Sequence, residues 1–318
     1  MEQTLTKSNI QKLEYFDNYK MKQEKRLLID QMLLSEDQNE VEWATLYDID
    51  DHYTAKRISD VQARKAYNDF KPFNRDVETG IKIFKCYMYA EEQNFGFLDD
   101  YTMGLENEID VISNDYIRGM YKVRFSIITL TSLVAKDYIK EARQICEKLM
   151  NENLDNYYSS LVSLQYGNTF MLDNPAKAIE IYEKGLILTN SEERCEVIKS
   201  NLENSLDFAN ILIGNYPKYL KFESKNPSDV HNLSFWYLKK GNKVIGESLL
   251  NTVDYDSLTD VQKAFHHYYR GFVSEPMKHF AKALTYFKLD REFYFRKLAL
   301  YELEKLGVDI NLIEALSV

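Results

Sequence analysis

The sequence predicts an all-α protein built from stacked helical hairpins. Helix breakers are scarce, with 11 glycines and 5 prolines in 318 residues. Apolar side chains recur every three to four residues along most of the chain, as in Ala178, Ile179, Tyr182 and Leu186 of AKAIEIYEKGLIL. No segment alternates with the period of two expected of a strand, and no Asn-Gly or Asp-Gly hairpin signal is present. Long helices joined by short turns follow from these observations.

The first 110 residues are predicted to form a helical extension without a clear repeat. The basic stretch at 20–26, KMKQEKR, is interrupted by Glu24, and we interpret it as a solvated helix face. The stretch DIDDH at 48–52 is interpreted as a solvated helix end, because its side chains do not share one helix face and no EF-hand glycine follows. The helices predicted here span 6–17, 20–34, 39–55, 58–69, 76–92 and 95–110.

Residues 111–318 are predicted to form a repeat array that continues the extension as one superhelix. Ala178, Tyr182 and Gly185 supply the small–large–small pattern with which one helix of a hairpin packs on the other, and Ala142 stands 36 residues before Ala178. Because this interval is near the tetratricopeptide (TPR) period, we predict a TPR-like right-handed solenoid of helical hairpins. Pro175 and another proline at 276 suit the first turns of second helices. The helices predicted here span 113–135, 138–151, 153–172, 175–189, 192–213, 227–240, 243–253, 258–273, 276–288, 291–305 and 309–317.

Composition and motifs exclude several function classes. The net charge of −10 disfavours a broad nucleic-acid-binding face, since phosphate backbones require clustered Lys and Arg. The N-terminus has no apolar signal-peptide core, so a cytoplasmic protein is expected. There is no phosphate-binding glycine loop, no CxxC pair and no HExxH motif, so we expect no cofactor, no metal and no enzyme activity.

Two polar residues are candidate groove contacts. On the predicted helix 153–172, Asn168 shares a face with Tyr157 and Met171 among leucines. A lone amide in an apolar stripe must be satisfied by water, by neighbouring helices or by a ligand, and it can match both polar groups of a peptide backbone. Glu292 stands beside Tyr294 and Phe295, where a carboxylate either holds the amino terminus of a peptide or stabilises the helix dipole.

Three blocks resemble a known family. They are YGNTFMLDNPAKAIEIYEKGL at 166–186, FHHYYRGFVSEPMKHFAKALTYFKLDREFYFRKLALYELEKLG at 265–307 and NLIEALSV at 311–318. They are similar to the C-terminal half of the AimR proteins, the arbitrium peptide receptors of temperate Bacillus phages, which belong with the TPR-containing quorum-peptide sensors. The family carries an N-terminal helix-turn-helix domain, and by this resemblance the chain lacks it.

The resemblance implies a peptide site. It places Asn168, Met171, Glu292 and Tyr294 at peptide-contacting positions of the family. Four further implied positions depart from the family's residue type, which argues for a different peptide: Tyr157 replaces an arginine, Thr131 and Ala135 each replace an asparagine, and Asn232 replaces a glutamate.

The resemblance also implies a regulatory role in the bacterial host cell, in phage lysis–lysogeny or related gene regulation. It implies a homodimer made by C-terminal helices, for which the candidates are Leu312, Ile313 and Leu316 in the apolar closing stripe. The alternative for this stripe is that the last helix caps the solenoid. The alternative is a protein–protein interaction module that binds another regulator rather than a peptide.

Overall fold

The computed structural model describes residues 7–91, Leu98, 102–152, 154–189 and 195–309. These residues form sixteen α-helices, one short 3-10 helix and no strand, so the prediction of an all-α fold of helical hairpins is confirmed. The chain divides into two units, Met1–Thr129 and Leu130–Val318. The domain boundary near residue 110 stays a prediction.

The first unit contains α1 Asn9–Asn18, α2 Lys22–Met32, α3 Gln38–Thr54, α4 Asp60–Asp69, α5 Arg75–Glu91 and α6 Leu105–Asp110. The unit boundary falls within α7, Asp115–Ala135. The second unit continues with α8 Ile139–Met150, α9 Asn156–Asn168, α10 Pro175–Thr189, α11 Glu196–Leu212, α12 Pro227–Lys239, α13 Lys243–Asn251, the 3-10 helix Tyr255–Ser257, α14 Asp260–Arg270, α15 Pro276–Leu289 and α16 Phe293–Lys305.

Local sequence signals account for where several helices begin. Pro175 and Pro276 are the first residues of α10 and α15, as predicted, because proline has no N–H to leave unsatisfied in a first turn. Helix α14 begins with a capping box in which the Thr259 hydroxyl and the Gln262 carboxamide each accept a backbone N–H of the other residue.

Small residues at the crossings let the two helices of a hairpin approach closely. A Cβ placed on Gly167 of α9 would lie 2.2 Å from the Tyr182 ring of α10. Where α12 meets α13, a Cβ placed on Gly246 would likewise lie 2.6 Å from the Leu238 side chain. The predicted packing residues Ala178 and Tyr182 are fully buried. The TPR-like pattern read from the sequence therefore marks the contacts that build these hairpins.

Gly167→Ala is expected to lower the free energy of unfolding by about 1–3 kcal/mol, because the buried Tyr182 ring has no room for the added methyl group. The matched control is Gly119→Ala in α7, where a Cβ meets nothing within 4 Å. That variant should instead gain roughly 0.5–1 kcal/mol from the better helix propensity of alanine. Urea unfolding of both variants measures the difference. Equal effects from the two substitutions would contradict the close-packed crossing.

A buried ion cluster lies in the first unit, and it overturns two predictions from the sequence. Lys25 of the basic stretch 20–26 is only 5% exposed. Its Nζ atom lies 2.7 Å from Oδ1 of Asp17 and 3.0 Å from Oδ2 of Asp50. The interpretation of this stretch as a solvated helix face is therefore wrong at Lys25, because its ammonium group is paired with two buried carboxylates on neighbouring helices. The interpretation of 48–52 as a solvated helix end is likewise wrong at Asp50, which is only 8% exposed and lies within α3.

The predicted helix 153–172 is too long, and this separates Met171 from the helix face of Asn168. Helix α9 ends at Asn168, and Met171 lies in the turn before α10. The turn is fixed by side chains, since the Thr169 hydroxyl donates to the Tyr166 carbonyl (2.7 Å) and Nη2 of Arg143 donates to the Thr169 carbonyl (2.6 Å). These bonds satisfy carbonyls that a longer helix would have used.

Two further observations concern the dimer candidates and membrane-spanning helices. The dimer candidates Leu312, Ile313 and Leu316 lie outside the described residues, as does almost all of the predicted helix 309–317. Across the described ranges, no helix combines the length and the apolar character needed to cross a membrane.

Candidate functional site

A cavity of about 220 Å³ in the second unit is lined by three of the predicted site residues, Asn168, Met171 and Asn232. We call it the amide cavity because its polar lining consists mainly of carboxamides. The carboxamide and hydroxyl side chains that line it are those of Asn168, Asn204, Asn232, Gln262, Ser205 and Ser228. The rest of the lining is Met171, Phe208, His231, Phe265, Tyr269 and Phe295.

Asn168, the last residue of α9, is held by its neighbours in a defined orientation. Its Oδ1 atom accepts a hydrogen bond of 2.7 Å from the buried Tyr182 hydroxyl. Its Nδ2 atom makes only a long contact, 3.5 Å, with Oε1 of Gln165. The acceptor side of Asn168 is therefore used within the fold, while its donor side has bonding capacity left for a ligand.

Asn232 on α12 has the opposite arrangement. Its Nδ2 atom donates to the backbone carbonyl of Asn204, at 3.0 Å, which fixes the amide orientation. No described residue donates to its Oδ1 atom, so the acceptor side remains available. Together, Asn168 offers a donor and Asn232 an acceptor to one cavity, and a peptide unit has one of each to exchange.

Met171 and Tyr294 line a second, larger cavity of about 890 Å³. Met171 is almost fully buried and contributes to the lining of both cavities. The Tyr294 hydroxyl accepts a hydrogen bond of 3.1 Å from the backbone N–H of Leu172, which joins α16 to the turn after α9. Lys297 of α16 also pairs with Asp137, at 2.5 Å, and both side chains line this cavity.

Glu292 is the N-cap residue of α16, but its side chain makes no capping hydrogen bond. Its Oε1 atom is buried and has no hydrogen-bond partner among the described residues. Burial raises the pKa of the Glu292 carboxyl to about 8, although the backbone N–H groups of Phe295 and Tyr294 act in the opposite direction. Glu292 lines neither cavity, whereas Phe295 lines the amide cavity and Tyr294 the larger one.

The other two predicted contacts stand apart from the cavity linings. Tyr157, at the start of α9, packs edge-to-face on Tyr158 with ring centroids 5.3 Å apart. Thr131 of α7 accepts a hydrogen bond of 3.4 Å from Nε2 of Gln165. Since Gln165 in turn contacts Asn168, Thr131 is linked to the amide cavity through one intervening side chain.

Several lining residues were missed from the sequence although their spacing carried a signal. Asn204 and Phe208 of α11 are four residues apart, as are Ser228 and Asn232 of α12. This spacing puts each pair on one helix face. Polar and aromatic residues on the same face of consecutive helices would have indicated a shared polar cavity.

Comparison with known proteins fits this architecture. The family described as "AimR transcriptional regulator-like" matches residues 2–305. The AimR transcriptional regulator of Bacillus phage phi3T is 22% identical over 277 residues, which are 87% of this chain and 72% of that protein. The AimR transcriptional regulator of Bacillus phage SPbeta is 22% identical over 311 residues, which are 98% of this chain and 80% of that protein.

Solved structures show the same fold. The structure described as "Structure of phAimR-Ligand" superposes with a TM-score of 0.82 at 22% identity, covering 94% of this chain and 88% of that chain. A second, "Structure of SeMet-phAimR", gives a TM-score of 0.78 and covers 98% of this chain. With the family match spanning nearly the whole sequence, the chain belongs to the AimR transcriptional regulator-like family.

Proposed function

We propose that this chain is a cytoplasmic regulatory receptor that binds a short peptide at the amide cavity and controls phage lysis–lysogeny or related gene regulation. Family membership supports a regulator of the AimR type. The observation that carries peptide binding is the complementary pair formed by the Asn168 donor and the Asn232 acceptor. Met171, Glu292 and Tyr294 would complete the contacts.

The chemistry of the site suits a peptide better than a rigid metabolite. Carboxamides bind main-chain amides in both directions, while the aromatic walls supplied by Phe208, Phe265 and Phe295 accept an apolar side chain. The unpartnered Oε1 atom of Glu292 offers an ion pair to an amino terminus. In this proposal Tyr157 and Thr131 act at the periphery of the bound peptide.

A regulatory outcome requires the peptide to favour one conformation. A 5- to 150-fold change in the affinity for a regulated partner corresponds to a coupling free energy of about 1–3 kcal/mol. A peptide that contacts Met171 and Tyr294 would touch both the turn after α9 and helix α16. The homodimer expected from the sequence belongs to this proposal, and light scattering with and without peptide tests it.

The direct test measures peptide binding by calorimetry with a panel of synthetic hexapeptides. Replacing Asn168 alone would also break the hydrogen bond that it accepts from the buried Tyr182 hydroxyl, which costs stability as well as binding. We therefore compare Asn168→Ala/Tyr182→Phe with Tyr182→Phe alone. The double variant should bind the best peptide of the panel roughly tenfold more weakly, because one ligand hydrogen bond is lost.

Two results would contradict the proposed receptor function. If the two variants bound with equal affinity, Asn168 would not contact the ligand. If the unmodified protein bound no peptide of the panel, peptide reception itself would be excluded.

A further inference from the structure

The amide cavity is unusual in this chain because no Asp, Glu, Lys or Arg is found among the described residues that line it. Charged residues make up 28% of the sequence, so a lining of twelve residues would ordinarily include several. The larger cavity shows the contrast, since eight of its lining side chains are charged. The cavity therefore combines apolar walls with neutral polar groups, and no ionic group lines it among the described residues.

His231, the one titratable imidazole in the lining, is also neutral. The Arg270 guanidinium donates to Nε2 of His266, at 3.3 Å, so Nδ1 of His266 carries the proton. That proton is donated to Nε2 of His231, at 3.1 Å. Burial, with the adjacent His266, lowers the pKa of His231 to about 3, so the imidazole stays uncharged at neutral pH.

The absence of counter-charges has an energetic consequence for a ligand. A charged group that enters the cavity gives up its hydration and gains only neutral dipoles in return, which is strongly unfavourable. A main-chain amide or a neutral side chain loses much less, because carboxamides and hydroxyls replace its hydrogen bonds to water. The volume of about 220 Å³ lies below the range of about 300–1,000 Å³ for sites that enclose a whole ligand.

We infer that the amide cavity binds one short uncharged segment of the peptide and selects against Lys, Arg, Asp and Glu at that segment. This inference rests on the proposed peptide-receptor function and specifies its ligand class. The charged amino terminus of the peptide belongs elsewhere, beside Glu292, which does not line the cavity. The specificity follows from the lining as a whole, and Asn232 and Gln262 are the positions where a charge can most simply be introduced.

The experiment uses positional-scanning hexapeptide mixtures, each with one position fixed and the others randomised. Binding to the full chain is measured by competition with a fluorescent peptide selected from the same mixtures. At one position at least, mixtures that fix Lys, Arg, Asp or Glu should bind at least about tenfold more weakly than mixtures that fix Ala, Ser or Leu.

The variant Gln262→Glu then assigns this preference to the amide cavity. Glutamate serves a capping box as well as glutamine does, so helix α14 keeps its N-terminal cap. The variant should accept Lys or Arg at the same peptide position, with a gain of about tenfold over the unmodified protein. The control Gln62→Glu makes the same change in the capping box of Ser59, in the first unit, and should leave the preference unchanged.

A second variant tests whether the effect of Gln262→Glu comes from the cavity charge and not from a local change in α14. Asn232→Asp introduces a carboxylate into the same lining from α12 instead of α14, and it should produce the same gain for Lys or Arg. If the unmodified protein accepts charged residues equally at every position, the inference is overturned while the receptor proposal stands. A neutral preference that neither variant changes also overturns it. If no mixture binds at all, the receptor proposal fails and the inference fails with it.

Discussion

Arg124→Leu is expected to lower the free energy of unfolding by about 3–5 kcal/mol, because it removes one partner of a buried ion cluster. Nε of Arg124 lies 3.0 Å from Oε1 of Glu14, and Nη2 lies 2.6 Å from Oδ2 of Asp17. Lys25 is the second cation, bound to Asp17 and Asp50. All five side chains are nearly inaccessible to solvent, so the carboxylates left behind could not be compensated by water.

The pKa shifts within the cluster show how strongly its members depend on one another. Although burial opposes ionisation, Lys25 and Arg124 hold the pKa of Asp17 well below its ordinary value. Burial raises the pKa of Glu14, despite the opposing attraction of Arg124. Without Arg124, we expect Glu14 to take up a proton on folding, so the loss of stability in the variant should grow as the pH rises above about 5.

Two comparisons distinguish a buried cluster from ordinary surface pairing. Lys122→Leu, also on α7, removes a pair with Asp110 in which both side chains are about half exposed, and it should cost no more than about 1 kcal/mol. Glu14→Gln in the Arg124→Leu background should restore part of the lost stability, because it removes a stranded carboxylate. Urea unfolding followed by circular dichroism measures each variant. A loss below about 1 kcal/mol for Arg124→Leu would show that the cluster is not desolvated as described.

The helices and their crossings could be predicted from the sequence because their causes are local. Apolar spacing defines each helix, and prolines such as Pro175 mark a first turn within a few residues of the pattern they interrupt. The Gly167–Tyr182 contact also follows from a short-range pattern, since a hairpin brings together residues about fifteen positions apart. Such features can be predicted without knowing which distant segments of the chain pack against them.

The parts that could not be predicted depend on distant partners. The basic stretch around Lys25 has the composition of a solvated face, and only the approach of Asp17 and Asp50 makes burial of the lysine favourable. Likewise Met171 reaches the lining of the amide cavity from a turn that is fixed by Arg143, more than twenty residues earlier. The residues that resemble a peptide site could be named from the sequence. Which of them line the amide cavity and which line the larger cavity could not be predicted.

Glu292→Gln is expected to stabilise the protein at pH 7 by up to about 2–3 kcal/mol, because it removes the cost of ionising a buried carboxyl. The folded-state pKa, about 8, lies above the ordinary value of 4.5. The folded state therefore binds more protons than the unfolded state between these values, and the stability of the unmodified protein falls as the pH rises from about 4.5 to 8. The variant should match it near pH 4 and exceed it progressively above pH 5. Glu304→Gln, at an exposed position of the same helix, should show no such trend in urea unfolding.

The same carboxyl predicts a characteristic pH dependence of peptide binding. A protonated amino terminus binds an ionised Glu292, so at pH 7 binding must release the proton that the carboxyl holds. Since the terminal amine has an ordinary pKa of about 8, affinity should rise from pH 6 to a maximum near pH 8 and then fall. An N-acetylated peptide, or the Glu292→Gln variant, should bind more weakly near pH 8 and lose this profile. A free-amine peptide whose affinity is flat from pH 6 to 8 in the unmodified protein would instead leave Glu292 with a purely structural role, at the start of α16.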